Sequence, residues 1–174
     1  RDSSTSRGLG DVYKRQEQWF NDFGNDSNKL NEVMSTVIAL DDIKLPTRAT
    51  KGSAGYDIIT PVNIDLKVGE SMKVPTGLKC KVDNGWFLGI FPKSGLGFKY
   101  SLRLGNSVGI IDEDYYNNEN NEGHIWVKIQ NDGDKDFHLD AGKAFCQGIF
   151  LPYGITYDDE SEGVRVGGLG STNA

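Results

Sequence analysis

Five short polar segments carry the residue types needed to bind a phosphorylated ligand. In chain order they are "GSAGYD" (Gly52 to Asp57), "PKSGLG" (Pro92 to Gly97), "GNSVGIIDEDYY" (Gly105 to Tyr116), "CQG" (Cys146 to Gly148) and "RVGGLGSTNA" (Arg165 to Ala174). Glycines let backbone N–H groups come close to an anion, and the side chains beside them add carboxylate, amide, hydroxyl and cationic groups. The last segment has too little apolar surface to order itself, so it suggests an arm that becomes ordered over an anion.

Asp112 is the residue of the third segment whose position best suits a catalytic or ligand-binding role. It follows the apolar run Val108 to Ile111, which only Gly109 interrupts. A carboxylate at the end of a strand is held by a rigid scaffold, which can aim it at a ligand. The residues alone leave three roles open: a general base toward water, a metal ligand, or an aspartate that only ends a strand.

The second and fourth segments offer phosphate contacts. In "PKSG" a hydroxyl, a charge and an accessible backbone N–H lie within Lys93, Ser94 and Gly95, although an ordinary turn would read similarly. Gln147 is either an amide donor to a phosphate oxygen or a polar residue on an edge strand. In the terminal arm, Arg165 supplies a charged guanidinium that can donate two parallel hydrogen bonds, while Ser171 and Thr172 add hydroxyl donors.

The elements that would position these segments are β-strands. Leu78, Cys80 and Val82 alternate with lysines, and "DNG" then supplies turn residues before "WFLGIF", a pattern that predicts a strand, a turn and a strand. "IWVKIQN" and "AFCQGIFLPY" are further strand candidates. Many short strands separated by turn residues indicate an all-β sandwich or barrel, with Cys80 as a small core residue.

The chain divides into four parts. Residues 1–16 have no apolar period and read as a leader outside the fold, and residues 17–34 contain a short helix capped by Ser27 or Asn28. Residues 35–160 form the β-domain. Residues 161–174 form a flexible, glycine-rich C-terminal arm.

Composition limits the partners. The 174 residues are 37% hydrophobic, enough for one domain with a core, and the net charge of -6 argues against a nucleic-acid or anionic membrane partner. The two cysteines lack the spacing of a zinc site or a disulfide framework, which favours a reducing compartment. No secretory or transmembrane segment is evident, so we expect a cytoplasmic protein.

The order and chemistry of the five segments resemble the trimeric dUTP pyrophosphatase family, from about Val37 to Thr172. The resemblance implies an all-β, jelly-roll-like fold and a homotrimer whose active sites are shared between subunits. It also implies hydrolysis of dUTP to dUMP and pyrophosphate with Mg²⁺, a reaction that supports dTTP synthesis and keeps uracil out of DNA.

The resemblance assigns roles residue by residue. It makes Asp112 the base for the water that attacks the α-phosphorus and Asp57 a magnesium ligand through water. Uracil would be bound by Asn106 and the neighbouring backbone of the hairpin, including Gly109 and Ile111, and Tyr115 would pack on the deoxyribose and leave no room for a 2′-hydroxyl. The remaining assigned residues would contact the phosphates or close the arm over the nucleotide: Lys93, Ser94, Gly95, Gln147, Arg165, Leu169, Gly170, Ser171 and Thr172.

The sequence departs from the family pattern at three places. Lys93 stands where an arginine is more common, so its contact would be less directional. Leu169 stands where a phenylalanine usually stacks on the uracil. After Tyr115 the chain reads "YNNENNEGHIWV", an Asn-rich excursion predicted to be a surface loop in which the acids form a solvated face. Neither His124 nor His138 receives a role.

Two alternatives stay open at this point. One is a dCTP deaminase of the same architecture, although that branch uses a glutamate in the strand after the third segment, where this chain reads "HIWVKIQN". The other is a dUTP-binding regulatory module in which the closed arm acts on a protein partner. A capsid-like or carbohydrate-binding sandwich would not need the five segments together.

Overall fold

The structure, a computed structural model, describes residues 43–168 as ten short strands and one α-helix, α1 (Ser94–Tyr100). A single 3₁₀ turn in this range covers Glu113–Tyr115. The strands are β1 (Thr47–Arg48), β2 (Tyr56–Ile59), β3 (Ile64–Leu66), β4 (Ser71–Pro75), β5 (Trp86–Pro92), β6 (Leu102–Leu104), β7 (Gly109–Ile111), β8 (Trp126–Asn131), β9 (Phe137–Leu139) and β10 (Ala144–Pro152).

The strands form three antiparallel sheets. The largest has the order β1-β2-β10-β5-β7, the second has the order β4-β8-β6, and β3 pairs with β9. In the largest sheet β10 is an interior strand, bonded to β2 on one side and to β5 on the other. The prediction of an all-β fold is therefore confirmed.

The inner faces of the sheets meet in one apolar core. Ile58, Leu88 and Ile90 from the largest sheet are buried together with Val74 and Ile129 from the second. Alternate residues of a strand point to opposite faces, so the same strands can carry polar site residues between their core positions. Asp57, directly before Ile58, is one such residue.

The strand predictions were right for the longest strands and wrong for one short segment. β8 and β10 coincide with the apolar runs that predicted them. Leu78, Cys80 and Val82 are buried as predicted, but the segment 79–83 makes no ladder and is irregular. Burial alternation indicates which side chains face the core, and it does not guarantee a partner strand for the backbone.

Helix α1 was not predicted, because its sequence "SGLGFKY" contains two glycines and reads as a turn. It ends at Ser101, whose positive φ of 52° lets its N–H bond to Gly97 O. No helix among residues 43–168 combines the length and apolar character needed to cross a bilayer. The predicted leader at 1–16 and helix within 17–34 lie outside the described residues.

Candidate active site

Asp57 and Lys93 form an ion pair at one end of the largest sheet. Asp57 lies on β2 and Lys93 directly follows β5, and Lys93 Nζ donates to Asp57 Oδ1 across 2.7 Å. Both side chains are only partly exposed. The first and second polar segments therefore meet in space, although more than thirty residues of sequence separate them.

Gln147 lies between these two segments. It is paired with Asp57 on β2 and with Phe91 on β5, and its Nε2 donates to Pro92 O across 3.0 Å. Gly55 makes room for the amide, because a Cβ at that position would lie 2.2 Å from Gln147 Oε1. The alternative that Gln147 is an edge-strand residue is wrong, since β10 is interior.

Ser94 and Gly95 begin helix α1 next to this cluster. Both are exposed, and Lys93 O accepts hydrogen bonds from the N–H groups of Leu96 and Gly97. The first N–H groups of a helix have no partner within the helix, so Ser94 and Gly95 carry a hydroxyl and backbone donors on an exposed surface. We call the cluster of Asp57, Lys93, Ser94, Gly95 and Gln147 the phosphate half.

Cys146 lies beside the phosphate half but on the core face. It is fully buried, and burial raises the pKa of its thiol well above the ordinary value, with a further increase from Asp57 that Lys93 opposes. A thiol held in its protonated form is a poor nucleophile. Cys146 is therefore a packing residue.

Asp112 and Arg165 form a second cluster. Arg165 Nη2 donates to Asp112 Oδ2 and Arg165 Nε donates to Asp114 Oδ1, each across 2.7 Å. The guanidinium is mostly covered, with a side-chain exposure of 16%. The third segment and the C-terminal arm are thus in contact within one chain, through charged hydrogen bonds on both sides of the guanidinium.

The Tyr115 ring completes this cluster. It is buried, Arg165 Cζ lies 6.0 Å from the ring centroid, and a Cβ at Gly168 would lie 2.5 Å from Tyr115 Cε2. A glycine is therefore required at 168 for the arm to lie against the ring.

Asn106 lies at the turn between β6 and β7. Ser107 takes a positive φ of 65° there, and Asn106 is exposed. Gly109 brings β7 close to β5, since its Cβ would lie 3.1 Å from Ile90 Cβ and 3.9 Å from Asn106 Nδ2. Asn106, Gly109, Ile111, Asp112 and Tyr115 are spread along β7 and the segments at its two ends, and we call this set the nucleoside half after the contacts that the sequence predicts for it.

The proposed base Asp112 and the phosphate half lie apart in a single chain. Ile90 of β5 is paired with Gly109 of β7, and the two strands are antiparallel. From this pair the chain runs toward Lys93 along β5 and toward Asp112 along β7, in opposite directions. At about 3.3 Å per residue, the backbones of Lys93 and Asp112 are on the order of 20 Å apart. Asn106 lies on the Lys93 side of the same ladder.

The prediction of a surface loop after Tyr115 was right for its solvated acids, such as exposed Glu119, and wrong for its interior. Asn118 and His124 are buried, and His124 Nε2 accepts a hydrogen bond from Gly77 N–H across 3.1 Å. Burial lowers the pKa of His124 to about 4, so the ring is neutral near pH 7. The sequence signal that could have identified this loop is the repetition of Asn, whose side chains can replace backbone partners in turns.

The arm is described only as far as Gly168. Leu169, Gly170, Ser171 and Thr172 lie outside the described residues. Among residues 43–168 no group of three or more His, Cys, Asp or Glu side chains could hold a metal ion by itself. Asp57 is thus a single carboxylate, which suits Mg²⁺ because that ion keeps several waters and often binds one carboxylate together with substrate phosphates.

Comparison with known proteins gives consistent results. The sequence model of the dUTPase family matches residues 41–172. The deoxyuridine 5'-triphosphate nucleotidohydrolase of Lactococcus lactis subsp. lactis is 40% identical over 134 residues, which cover 76% of this chain and 89% of that protein. The dUTPase structure from Streptococcus mutans is 40% identical, with a TM-score of 0.62 over 69% of this chain and 95% of that one.

A more distant structure shows the fold alone. The dUTPase from phage phi11 of S. aureus is 19% identical, with a TM-score of 0.58 over 69% of this chain and 90% of that chain. These neighbours share the all-β jelly-roll fold that the sequence predicted.

Proposed function

The chain belongs to the dUTPase family, and we propose that it hydrolyses dUTP to dUMP and pyrophosphate by attack of water on the α-phosphorus. The observation that carries the proposal is the cluster of Asp112, Tyr115 and Arg165. It combines a general-base candidate, a ring for the sugar and a cation for the phosphates. Removal of dUTP would keep uracil out of DNA, and the dUMP product would supply dTTP synthesis.

Asp112 acts as the base in this proposal. Its carboxylate accepts a proton from the attacking water, and the pyrophosphate leaves on the opposite side of the α-phosphorus. Arg165 must release Asp112 for this step, and we propose that it moves to the triphosphate. Arg165 can exchange a carboxylate for the triphosphate because phosphate oxygens accept the same bidentate hydrogen bonds from a guanidinium.

Active sites shared between subunits of a homotrimer are part of the proposal. In dUTP the outer phosphates are linked to the α-phosphorus through single oxygen atoms, whereas Lys93 and Asp112 of one chain lie at opposite ends of the ladder between β5 and β7. One molecule of dUTP therefore cannot place its α-phosphorus at Asp112 and its outer phosphates at Lys93 of the same chain. This separation supports a site in which the phosphate half of one subunit faces the nucleoside half of another.

Within the phosphate half, we assign triphosphate contacts to Lys93, Ser94, Gly95 and Gln147. Pro92 O accepts one hydrogen of the Gln147 amide, and the same nitrogen carries a second hydrogen for a phosphate oxygen. Lys93 would exchange its contact with Asp57 for one with phosphate. Asp57 would then hold Mg²⁺ through coordinated waters, and the ion, when bound, would neutralise phosphate charge.

Within the nucleoside half, Asn106 and the backbone of Gly109 and Ile111 would bind the uracil edge. Tyr115 would exclude a 2′-hydroxyl by contact with the deoxyribose. In the arm, Leu169 would cover the base, while Gly170, Ser171 and Thr172 would close over the phosphates. We also propose a cytoplasmic location, consistent with buried Cys80 and Cys146, which no disulfide joins. The comparisons give no support to the deaminase or the regulatory module.

The test is pyrophosphate release from dUTP, from UTP and from each of the four common deoxynucleoside triphosphates, with and without magnesium. We expect release from dUTP alone, greatly increased by magnesium. Ammonia release from dCTP would instead identify a deaminase. Tight dUTP binding without pyrophosphate release would indicate that the protein is a dUTP-binding module and not an enzyme.

A further inference from the structure

The Asn-rich loop after Tyr115 is built around the Tyr115 hydroxyl. Asn121 Nδ2 donates to Tyr115 Oη across 2.8 Å, and Tyr115 Oη donates to His124 O across 2.8 Å. We propose that Asn121 is a positioning residue that fixes the Tyr115 ring and thereby sets the preference for deoxyribose over ribose. This inference rests on the proposed function of Tyr115 as the residue that contacts the sugar.

The direction of each hydrogen bond in this network is determined by its partners. Gly123 N–H can only donate, so the atom of Asn121 that it contacts at 3.1 Å must be the oxygen. The amide nitrogen of Asn121 then faces Tyr115. The carbonyl of His124 can only accept, so the single hydroxyl proton of Tyr115 points to it, and the hydroxyl must accept from Asn121.

Asn118 holds Asn121 in this orientation. Asn118 Nδ2 donates to Asn121 Oδ1 across 2.7 Å and to Tyr115 O across 2.8 Å. Asn118 Oδ1 accepts from the backbone N–H of Asn120 and Asn121, each across 3.1 Å. The two asparagines therefore bond both the backbone and the hydroxyl of Tyr115, so the ring is held at both ends.

The loop is also fixed to the body of the protein. His124 Nε2 accepts from Gly77 N–H, and Ile125 N–H donates to Leu78 O across 2.8 Å. Gly123 closes the loop on Tyr115, since a Cβ there would lie 2.8 Å from Tyr115 O. A ring anchored in this way can exclude a hydroxyl group, because a small displacement would open the space that a ribose needs.

The test variant is Asn121→Asp, which keeps the size and the acceptor oxygen but replaces the donor that faces Tyr115. We expect the ratio of kcat/KM for dUTP to kcat/KM for UTP to fall about ten-fold, as for the loss of one buried hydrogen bond. A general loss of stability would lower activity on both nucleotides and leave this ratio unchanged. Asn120→Asp, the same change on the exposed neighbouring residue, is the matched control and should leave the ratio at the wild-type value.

A double-mutant cycle shows whether the effect passes through the hydroxyl. Tyr115→Phe should also lower the ratio, and Asn121→Asp should add little in the Tyr115→Phe background. Equal effects of Asn121→Asp in both backgrounds, or an unchanged ratio in folded Asn121→Asp protein, would overturn the inference. Wild-type protein that discriminates between the nucleotides in the same assay shows that the proposed function holds independently of this result.

A measurement without substrate completes the test. In tyrosine-labelled NMR spectra of the wild type, the Tyr115 hydroxyl proton should exchange slowly with water, because it is buried and bonded to His124 O. Tyr115→Phe identifies the signal. The proton should exchange much faster in Asn121→Asp than in Asn120→Asp, and equal exchange in the two variants would contradict the role of Asn121 whatever the activity of the protein.

Discussion

Arg165 donates a hydrogen bond from Nη2 to Asp112 Oδ2 across 2.7 Å, so the C-terminal arm is bonded to the carboxylate that we propose as the base. Its Nε bonds Asp114 at the same time. The arrangement places one cation on two carboxylates, which is a stable state in the absence of phosphate. In the proposed function, these carboxylates and the triphosphate compete for Arg165.

Replacement of Asp112 by Asn separates chemistry from binding. We expect kcat for dUTP to fall by about 10²- to 10⁴-fold, because the amide cannot accept the proton of the attacking water. Affinity for a non-hydrolysable dUTP analogue should stay the same or increase, since Arg165 loses a charged partner that competes with phosphate. Calorimetric titration with the analogue measures the second effect, and turnover close to the wild-type rate would remove Asp112 from the role of base.

Replacement of Asp114 by Asn tests the competition itself. Asp114 is mostly exposed and holds Arg165 without being the proposed base, so its loss should favour transfer of the arm to the triphosphate. An ion pair whose carboxylate is exposed contributes about 1 kcal/mol, so analogue binding should tighten by about five-fold, with kcat nearly unchanged. Weaker binding would mean that Asp114 holds the arm in its productive position.

His124 should make the protein sensitive to acid. Burial lowers its pKa to about 4 in the folded state, whereas the unfolded chain has the ordinary value of about 6.5. Between these values the unfolded state binds the extra proton, so stability falls as the pH falls from about 6.5 to 4. The loss attributable to His124 should approach about 3 kcal/mol.

The measurement is the free energy of unfolding in urea at several pH values in this window. His124→Asn should flatten the slope, although it lowers stability at pH 7 by removing the acceptor for Gly77 N–H. His138→Asn is the control. Hydrogen bonds with Asp65 and Asp140 raise the pKa of the exposed His138. Its protonation therefore increases stability as the pH falls, so His138→Asn should not reduce the pH dependence of the free energy of unfolding.

A comparison of two glycines isolates the close approach of the Asn-rich loop to Tyr115. Gly123 and Gly69 both have φ of +82°, but a Cβ at 123 would lie 2.8 Å from Tyr115 O, whereas nothing lies within 4 Å of one at 69. Gly69→Ala should cost about 1 kcal/mol of stability through backbone strain alone, and Gly123→Ala about 2–4 kcal/mol. Equal costs in denaturant unfolding would mean that the loop moves away from Tyr115 easily.

The sequence picked out the residues of the candidate site but not their arrangement. Lys93 and Gln147 come from segments whose glycines and polar groups suit phosphate, Asp57 comes from the family resemblance, and the fold brings the three together at one end of the largest sheet. The separation of Lys93 and Asp112 depends on the pairing of β5 with β7, and strand order is not encoded in any local pattern.

The buried Asn-rich loop was missed for a different reason. Its stability comes from side-chain amides that satisfy one another and the backbone, as Asn118 and Asn121 do. An apolar periodicity gives no signal for such a network, and a run of asparagines is more often an exposed turn.

The separation of Asp112 from the phosphate half leads to a complementation experiment. Asp112→Asn inactivates the nucleoside half and Ser94→Ala impairs the phosphate half, so each variant alone should have low activity. If every site combines halves of two subunits, about one site in three of a mixed trimer would hold both intact halves. The isolated mixed trimers should then have about a third of wild-type activity, and an unselected random mixture of equal amounts about a quarter.

The control mixes Asp112→Asn with Tyr115→Ala, two changes in the same half, and should restore nothing, because no pairing of these chains yields an intact nucleoside half. Co-expression with two different affinity tags isolates the mixed trimers, and pyrophosphate release measures their activity. A mixture of Asp112→Asn and Ser94→Ala that stays as inactive as its components would place both halves of each site in one chain. That outcome is incompatible with the pairing of β5 with β7, which places the proposed base and Lys93 at opposite ends of the ladder.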